Sequence, residues 1–173
     1  MDINNKKVIV QVGRLNNQKN HIFFIEVFDR LSKIDSNFVY IIVGNGELKS
    51  MLENEIKKRN LTDKVFFVGE TNEVAKFYSA SDLFILPSLF EGLGIVGVEA
   101  QANGIPCLFS NNVPRQVAFC NNVEFLELNV EIWLDTIINS HMCRNYNSYN
   151  DFINSPYNFE SSALKLIDIY KKI

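Results

Sequence analysis

Short apolar runs alternate with amphipathic stretches along most of the chain. The apolar runs predict six buried strands, at residues 8–13, 38–44, 65–69, 83–87, 105–110 and 123–128. Apolar residues at helical spacing predict six helices, at residues 20–34, 47–60, 72–81, 94–103, 130–140 and 159–173. Because strands that alternate with helices form βαβ units, we predict an α/β fold with a mostly parallel, doubly wound sheet of about six strands flanked by helices.

The chain is predicted to form a single domain, 1–173. Its 173 residues are enough for one core, and they contain no internal repeat, low-complexity linker or domain boundary. Residues 141–157 are polar and aromatic. We therefore predict that they form a surface connection before the last helix.

Composition narrows the functional class. Hydrophobic residues make up 47% and charged residues 21% of the chain, as in ordinary soluble globular proteins. The net charge of −3 argues against a large basic surface, so nucleic acid is not an expected partner. Cys107, Cys120 and Cys143 lack metal-site spacing, and we expect them to be reduced and structural. Because no apolar segment is long enough for a signal peptide or a membrane span, we expect a cytoplasmic location.

Glycines and charged residues follow the predicted strands, and doubly wound sheets bind ligands at the carboxyl ends of their strands. After the first strand, Gly13 permits a tight turn, and Arg14 and Lys19 follow, with Lys19 at or just before the next helix. An anion held by these two cations would offset the unfavourable placement of a cation beside a helix N-terminus. Two solvated surface cations are the alternative.

The second and third strands end in weaker signals. Gly44 and Gly46, in the sequence GNGE, either let the backbone approach a ligand closely or form a turn before the next helix. The dinucleotide pattern G-x-G-x-x-G is absent, because Lys49 occupies the third glycine position. After the third strand Gly69 makes the turn, and a helix cap is favoured there over a direct ligand role.

Two glutamates flank a glycine-rich turn in FILPSLFEGLGIVGVEAQANGIPCLFS, residues 84–110. We predict that Glu91 precedes the next helix and that Glu99 lies within it, so that they contact different parts of an extended ligand. Gly92 and Gly94 leave the N–H groups of the helix start open to a phosphate, and carboxylates accept hydrogen bonds from sugar hydroxyls. Together these groups match the diphosphate, ribose and hexose of a nucleoside-diphosphate sugar. A helix cap at Glu91 and an ion pair at Glu99 are the alternative.

An ordered set of segments resembles the C-terminal, donor-binding domain of family 4 retaining glycosyltransferases (glycosyl transferases group 1). The segments are VGRLNNQKN, IIVGNGEL, VFFVGE, SASDLFILPSLFEGLGIVGVEAQANGIPCL and ALKLIDIY. The family has the GT-B fold, two Rossmann-like domains that face each other across a cleft, and Glu91 and Glu99 match its E-x(7)-E signature. The resemblance covers about residues 6–173 and points to bacterial enzymes of capsular or exopolysaccharide assembly.

The resemblance implies a role for each matching residue. Arg14 and Lys19 would bind the donor diphosphate and stabilise the departing nucleotide, and Glu91 would contact the transferred sugar near its 3- and 4-hydroxyls. Glu99 would hold the ribose hydroxyls. The other donor-binding residues that the resemblance implies are Gly13, Gly44, Gly69 and Glu70, and the turn residues Gly92, Leu93, Gly94 and Ile95.

The resemblance also implies the reaction and its partners. Such an enzyme transfers a hexosyl group with retention from a nucleoside-diphosphate sugar, here expected to be a UDP-sugar, to a glycan or lipid-linked acceptor in polysaccharide synthesis. It typically needs no divalent metal, so we expect no cofactor. The N-terminal acceptor domain of the GT-B fold is expected to be absent from this chain, which alone should bind donor weakly and be inactive. A full-length enzyme with a lipid-linked acceptor would lie peripherally at the inner face of the membrane.

Two other functions stay open. One is a non-catalytic GT-B module that binds a partner protein or senses nucleotide sugar, although intact Arg14, Lys19, Glu91 and Glu99 argue against a decayed site. The other is a nucleotide-sugar epimerase, whose sequence pattern fits less well. His21, near a predicted helix start, is predicted to be a surface residue rather than a base.

Overall fold

The computed structural model describes residues 5–140 and 143–171. Its strands are β1 (Lys7–Val12), β2 (Phe38–Val43), β3 (Val65–Gly69), β4 (Leu83–Leu86), β5 (Cys107–Ser110) and β6 (Val123–Leu126). Its α-helices are α1 (His21–Ile34), α2 (Lys49–Lys58), α3 (Val74–Ser79), α4 (Ile95–Ala102), α5 (Val130–Asn139), α6 (Ser148–Ile153) and α7 (Phe159–Tyr170). The six predicted strands and six predicted helices are confirmed within these bounds, and residues 172–173 of the last predicted helix lie outside the described residues.

Neighbouring strands of the sheet all run parallel, in the order β3-β2-β1-β4-β5-β6. The predicted α/β, doubly wound fold is therefore confirmed. The chain moves outward from β1 to β3 and then returns to the other side of β1 with β4. The carboxyl ends of β1 and β4 thus meet where the strand order reverses, and such a switch point opens a crevice for ligands.

Helices cover both faces of the sheet. Successive residues of a strand point to opposite faces, so apolar side chains on both faces have to be buried. Ile9 of β1 belongs to a buried cluster that includes Phe24 of α1 and Trp133 of α5. Val10, the next strand residue, belongs to a second cluster on the other face, with Tyr78 of α3. β2 is buried along its whole length, as expected for a parallel strand with helices above and below it. No helix within the described ranges is both long enough and apolar enough to cross a bilayer.

The predicted connection at 141–157 lies largely at the surface, since Ser148 and Ser155 are the only buried residues among those the structure describes there, but it contains a short helix that the sequence pattern did not predict. Residues 141–142 lie outside the described residues, but α6 lies within the remainder and packs against α4. The polar side chain of Arg144 explains how this segment is held. Its guanidinium donates to the carbonyl oxygens of Tyr78 (2.6 Å), Ser81 (2.6 Å) and Asn103 (3.2 Å), at the C-terminal ends of α3 and α4. A cation is favoured there because helix carbonyls are unpaired and the helix dipole is negative.

Candidate functional site

The switch point brings together Lys19 and Glu91, two of the predicted catalytic residues. Lys19 Nζ lies 2.5 Å from Glu91 Oε1, and only 13% and 6% of the two side chains are exposed. Lys19 lies in the loop after β1, and Glu91 lies in the loop after β4. Because these two strands pair side by side, their loops are neighbours and the two side chains can meet. Each charge neutralises the other, which is how ionised groups are tolerated away from water.

Neutral donors complete the surroundings of the Glu91 carboxylate. Ser88 Oγ donates to Glu91 Oε1 over 2.7 Å, and Gln18 Nε2 lies 3.3 Å from Oε2. Ser110 Oγ, at the end of β5, donates to the Ser88 carbonyl oxygen over 2.5 Å. Sequence reasoning missed both Gln18 and Ser88. The contact of Gln18 with Glu91 depends on β4 lying beside β1, whereas Ser88 lies only three residues before Glu91 and its contact is local.

Lys19 reaches Glu91 across Gly13. The lysine side chain passes so close that a Cβ added to Gly13 would lie 3.0 Å from Lys19 Cε. The φ of Gly13 is +151°, a backbone conformation that side chains rarely allow. Gly13 therefore makes the predicted turn and also leaves room for the lysine.

An open cavity of about 480 Å³ lies at the carboxyl ends of β1, β2 and β3. Four of the predicted site residues line it, namely Gly13, Arg14, Gly44 and Glu70. Arg14 Nε lies 3.2 Å from Glu47 Oε2, with 71% and 56% of the two side chains exposed. An ion pair this exposed contributes little, so the guanidinium is free to turn toward an anion in the cavity.

Backbone packing accounts for the glycines after β2. A Cβ added to Gly44 would lie 2.0 Å from the Gly13 carbonyl oxygen, and one added to Gly46 would lie 2.5 Å from that of Leu15. The loops after β1 and β2 are also joined by a hydrogen bond from Leu15 N to Asn45 O (2.9 Å), and Gly44 N donates to Gly69 O (2.9 Å) at the end of β3. These glycines thus join the loops that form the cavity wall, and the ligand contact predicted for Gly44 stays a prediction.

The turn before α4 has the predicted arrangement. Gly94 caps the helix with a φ of 83° and without a side-chain hydrogen bond, so Glu91 lies before the helix without capping it. A Cβ added to Gly92 would meet nothing within 4 Å, and Ile95 is 64% exposed. Leu93 is half-buried. The N-terminus of α4 therefore faces open space beside the ion pair.

Glu99 lies in α4 and borders a second cavity of about 480 Å³. Val74 lines both this cavity and the first, which places the two side by side. The Tyr78 hydroxyl donates to Glu99 Oε2 over 3.1 Å. Burial, with the Glu99 carboxylate beside it, raises the pKa of Tyr78, so the hydroxyl remains a donor at ordinary pH. Sequence reasoning missed Tyr78, whose aromatic side chain is typical of core positions.

The prediction that His21 is a surface residue is wrong. His21 is only 1% exposed, and neither ring nitrogen has a hydrogen-bond partner among the described residues. The chain turns at Asn20, whose φ is 54°, and the first residue of α1 then faces the interior. Burial, together with the nearby charge of Lys19, lowers the pKa of His21 from 6.5 to about 4, so the imidazole is neutral at pH 7.

The cysteines and the acidic groups form no metal centre in the part of the chain that the structure describes. No group of three or more His, Cys, Asp or Glu side chains there is arranged to hold a metal ion. Cys107, Cys120 and Cys143 are free thiols. Burial raises the pKa of Cys107, and burial with neighbouring Asp151 raises that of Cys120 to about 12, so both stay protonated.

A family model described as Glycosyl transferases group 1 matches residues 2–128. The chain belongs to this family. The resemblance noted in the sequence is thereby confirmed, and the matched range contains all of the predicted site residues of this group 1 glycosyltransferase chain, from Gly13 to Glu99.

One relative covers nearly all of this group 1 chain. It is the Escherichia coli protein named UDP-Gal:alpha-D-GlcNAc-diphosphoundecaprenol alpha-1,3-galactosyltransferase, 33% identical over 184 residues, and the match covers 96% of this chain and 46% of the relative. The chain spans only 31% to 46% of the length of the first curated relatives that it matches. Those relatives therefore contain further sequence at least as long as the matched region.

Two solved structures share the fold. A mutant of S. aureus TarM, crystallised with ligands that include UDP, aligns with a TM-score of 0.81 at 22% identity, over 96% of this chain and 36% of that one. The C-terminal domain of a glycosyl transferase group 1 protein, LpcC from Francisella tularensis, aligns with a TM-score of 0.68 at 21% identity, over 90% and 85% of the two chains. At these identities the likeness concerns the fold alone.

Proposed function

We propose that this chain is the donor-binding part of a retaining glycosyltransferase. The complete enzyme would transfer a hexosyl group from a UDP-sugar to a glycan or lipid-linked acceptor in cell-surface polysaccharide synthesis. The observation that carries the proposal is the Lys19–Glu91 pair at the switch point, with 2.5 Å between the ammonium nitrogen and a carboxylate oxygen. It sets a cation for phosphate directly beside an acceptor for sugar hydroxyls.

The surrounding groups fit the remaining parts of such a donor. Arg14 lines the first cavity. The turn at the N-terminus of α4, from Gly92 to Ile95, is open to solvent at Gly92 and leaves room for a phosphate. Backbone N–H groups at a helix N-terminus bind phosphate, because they are unpaired and the helix dipole is positive there. Glu99 borders the adjoining cavity, where its carboxylate would accept the ribose hydroxyls. The base would lie near Glu70 in the first cavity.

Stabilisation of the leaving group would be the main catalytic contribution of this part. The bond between the sugar and the diphosphate breaks, and negative charge develops on the diphosphate. That negative charge would be stabilised by positive groups that are already in place, namely Lys19, Arg14 and the N-terminus of α4. We propose that donor binding needs no divalent metal, because these groups supply the positive charge.

The choice of nucleotide and pathway rests on the relatives. The Escherichia coli relative carries UDP-Gal and a diphosphoundecaprenol acceptor in its name, which supports a UDP-sugar donor and a lipid-linked acceptor here. We propose that the transferred sugar retains its anomeric configuration, because the family that the sequence resembles consists of retaining enzymes.

Calorimetric titration of the 173-residue chain tests the proposal. UDP, GDP, ADP and their sugar conjugates are titrated with chelator present and no added metal. We expect UDP and its conjugates to bind, with about tenfold weaker UDP binding in Glu99→Gln, since a charged acceptor is lost. Glu53→Gln is the matched control, because Glu53 lies in α2 and its carboxylate is 3.9 Å from the ammonium of Lys49, outside both cavities. A folded chain that binds none of these ligands, with or without metal, would contradict the proposal.

A further inference from the structure

Two fully buried polar side chains lie within the sheet beneath α1. Gln11 of β1 and Tyr40 of β2 are both 0% exposed, and neither is among the predicted site residues. The Tyr40 hydroxyl donates to Gln11 Oε1 over 2.5 Å, and Gln11 Nε2 donates to the carbonyl oxygen of Lys19 over 2.8 Å. A chain of hydrogen bonds thus runs from the interior of the sheet to the backbone of Lys19.

The apolar core does not need these polar groups. Tyr40 packs its ring against Phe24 and Phe28 of α1, at centroid distances of 4.9 and 5.6 Å, and a phenylalanine would pack in the same way. Replacing two buried hydrogen-bonded groups by apolar groups of the same shape is often neutral or stabilising. The pair therefore points to something other than core packing.

The backbone at Lys19 is held on both sides. Its N–H donates to Asn16 Oδ1 over 3.1 Å, while its carbonyl oxygen accepts from Gln11. The next residue, Asn20, has a φ of 54°, a conformation that is unfavourable for residues other than glycine and needs support from its surroundings. From this fixed backbone the lysine side chain crosses Gly13 to Glu91.

We propose that Gln11 and Tyr40 are positioning residues for Lys19. They hold its carbonyl oxygen so that the ammonium group stays at the switch point, where it meets the diphosphate of the donor. The assignment of the diphosphate to Lys19 rests on the proposed function, whereas the placement of the lysine itself does not. Gln11 and Tyr40 act through Lys19 and touch no ligand.

Three variants test this proposal, namely Gln11→Leu, Tyr40→Phe and the double variant. Each is titrated with UDP and with uridine, which lacks phosphate, and each is unfolded with urea. We expect Gln11→Leu to weaken UDP binding about tenfold, the equivalent of one displaced charged contact, and to leave uridine unchanged. The double variant should bind UDP no worse than Gln11→Leu, because the two groups act in series.

Stability separates positioning from packing. Each single variant leaves a buried partner unsatisfied and should unfold at lower urea concentration than the wild type. Relative to Gln11→Leu, the double variant should regain the stability lost to the unpaired Tyr40 hydroxyl, while the Lys19 carbonyl oxygen stays without its donor and UDP affinity is not regained. A purely structural role would restore the two together. Trp133→Phe is the control in the same core, since it removes the hydrogen bond from Trp133 Nε1 to Glu127 O (2.8 Å), which involves no atom of Lys19. It should lower stability and leave the ratio of UDP to uridine affinity unchanged.

A crystal structure of the double variant completes the test. We expect Lys19 Nζ to move away from Glu91. If it stays at the wild-type distance, or if wild-type protein binds UDP through Lys19 and Gln11→Leu keeps the full phosphate preference, the positioning role is overturned. If wild-type protein does not bind UDP, the proposed function fails, and the position of Lys19 in the variant still decides this inference.

Discussion

Lys19 and Glu91 satisfy each other when no ligand is bound. In the proposed complex, a diphosphate that binds Lys19 would leave the Glu91 carboxylate, among the described residues, with the neutral donors Ser88 and Gln18. A buried carboxylate without a counter-charge is unfavourable, and sugar hydroxyls would relieve that cost by donating to it. In the proposed complex, recognition of the sugar would thereby be coupled to release of Lys19 from Glu91, and UDP without a sugar should bind less tightly than UDP-sugar.

Glu91→Gln should therefore raise the affinity for UDP by about three- to tenfold, because Lys19 no longer has to leave an anionic partner. The same variant should lose preference for UDP-sugar over UDP, since the amide is a weaker acceptor. Calorimetry with both ligands measures the two effects. Equal weakening of UDP and UDP-sugar would show that the Lys19–Glu91 contact does not oppose phosphate binding.

His21 should make the folded chain sensitive to acid. Its pKa is about 4 when folded and 6.5 in an unfolded chain, so between these values the unfolded state binds a proton that the folded state does not. Stability therefore falls as the pH drops below 6.5. At pH 5 the loss due to this group is about 2 kcal/mol.

Urea denaturation of the wild type and His21→Leu, at pH 7.5 and pH 5, measures that loss. Carboxylates and other groups titrate in both proteins, so the difference between the two pH dependences belongs to His21. We expect the variant to lose about 2 kcal/mol less than the wild type on acidification. Parallel profiles would mean that the imidazole gains a partner or water when it is protonated.

At the scale of helices and strands, apolar patterning located nearly every element, because each strand of a parallel sheet is a buried run. α6 was missed because its sequence, SYNDFI, is short and mostly polar, and it is held by contacts with α4 that no local pattern reveals. The same limit applies to the site. The pattern identified Lys19 and Glu91 as candidates, but their contact depends on β4 lying beside β1. The Gln11–Tyr40 pair depends equally on the register of β1 with β2.

Three glycines at the carboxyl end of the sheet give a prediction at the scale of elements: Gly44 after β2, Gly69 at the end of β3 and Gly92 in the turn before α4. An added Cβ would meet backbone at 2.0 Å in Gly44, would meet nothing within 4 Å in Gly69, and would likewise meet nothing in Gly92. Gly44 and Gly69 have positive φ values of 136° and 84°. Gly44→Ala therefore combines strain with a clash, Gly69→Ala has strain alone, and Gly92→Ala has neither.

We expect the free energy of unfolding to fall by more than about 2 kcal/mol in Gly44→Ala, by about 1 kcal/mol in Gly69→Ala and by less than about 0.5 kcal/mol in Gly92→Ala. Urea denaturation at pH 7.5 gives the three values under one condition. Gly44→Ala with the stability of Gly69→Ala would mean that the loops after β1 and β2 can separate without loss, and that the cavity wall is not fixed by their contact.

At the scale of the whole molecule, the proposed site opens to solvent. Phe90 and Ile95, on either side of the Glu91 turn, are 61% and 64% exposed, and Arg14 projects from the cavity edge with most of its side chain in water. Charged contacts are worth less in such surroundings, and water is not kept from the reacting sugar. The curated relatives contain at least as much sequence again beyond the matched region. The geometry of this chain thus supports donor binding more than turnover.

We predict that the 173-residue chain binds a UDP-sugar but neither transfers nor hydrolyses the sugar at a useful rate. The physical reason is that binding needs only the cation, carboxylate and helix terminus of this chain, whereas transfer also needs a held acceptor and the exclusion of water. Release of UDP is measured over hours with saturating UDP-galactose, with and without a diphosphoundecaprenol-linked sugar. The Escherichia coli relative serves as the positive control, because its name specifies that donor and acceptor class. Acceptor-dependent release of UDP by this chain alone, abolished in Lys19→Met, would show instead that these residues hold everything the reaction requires.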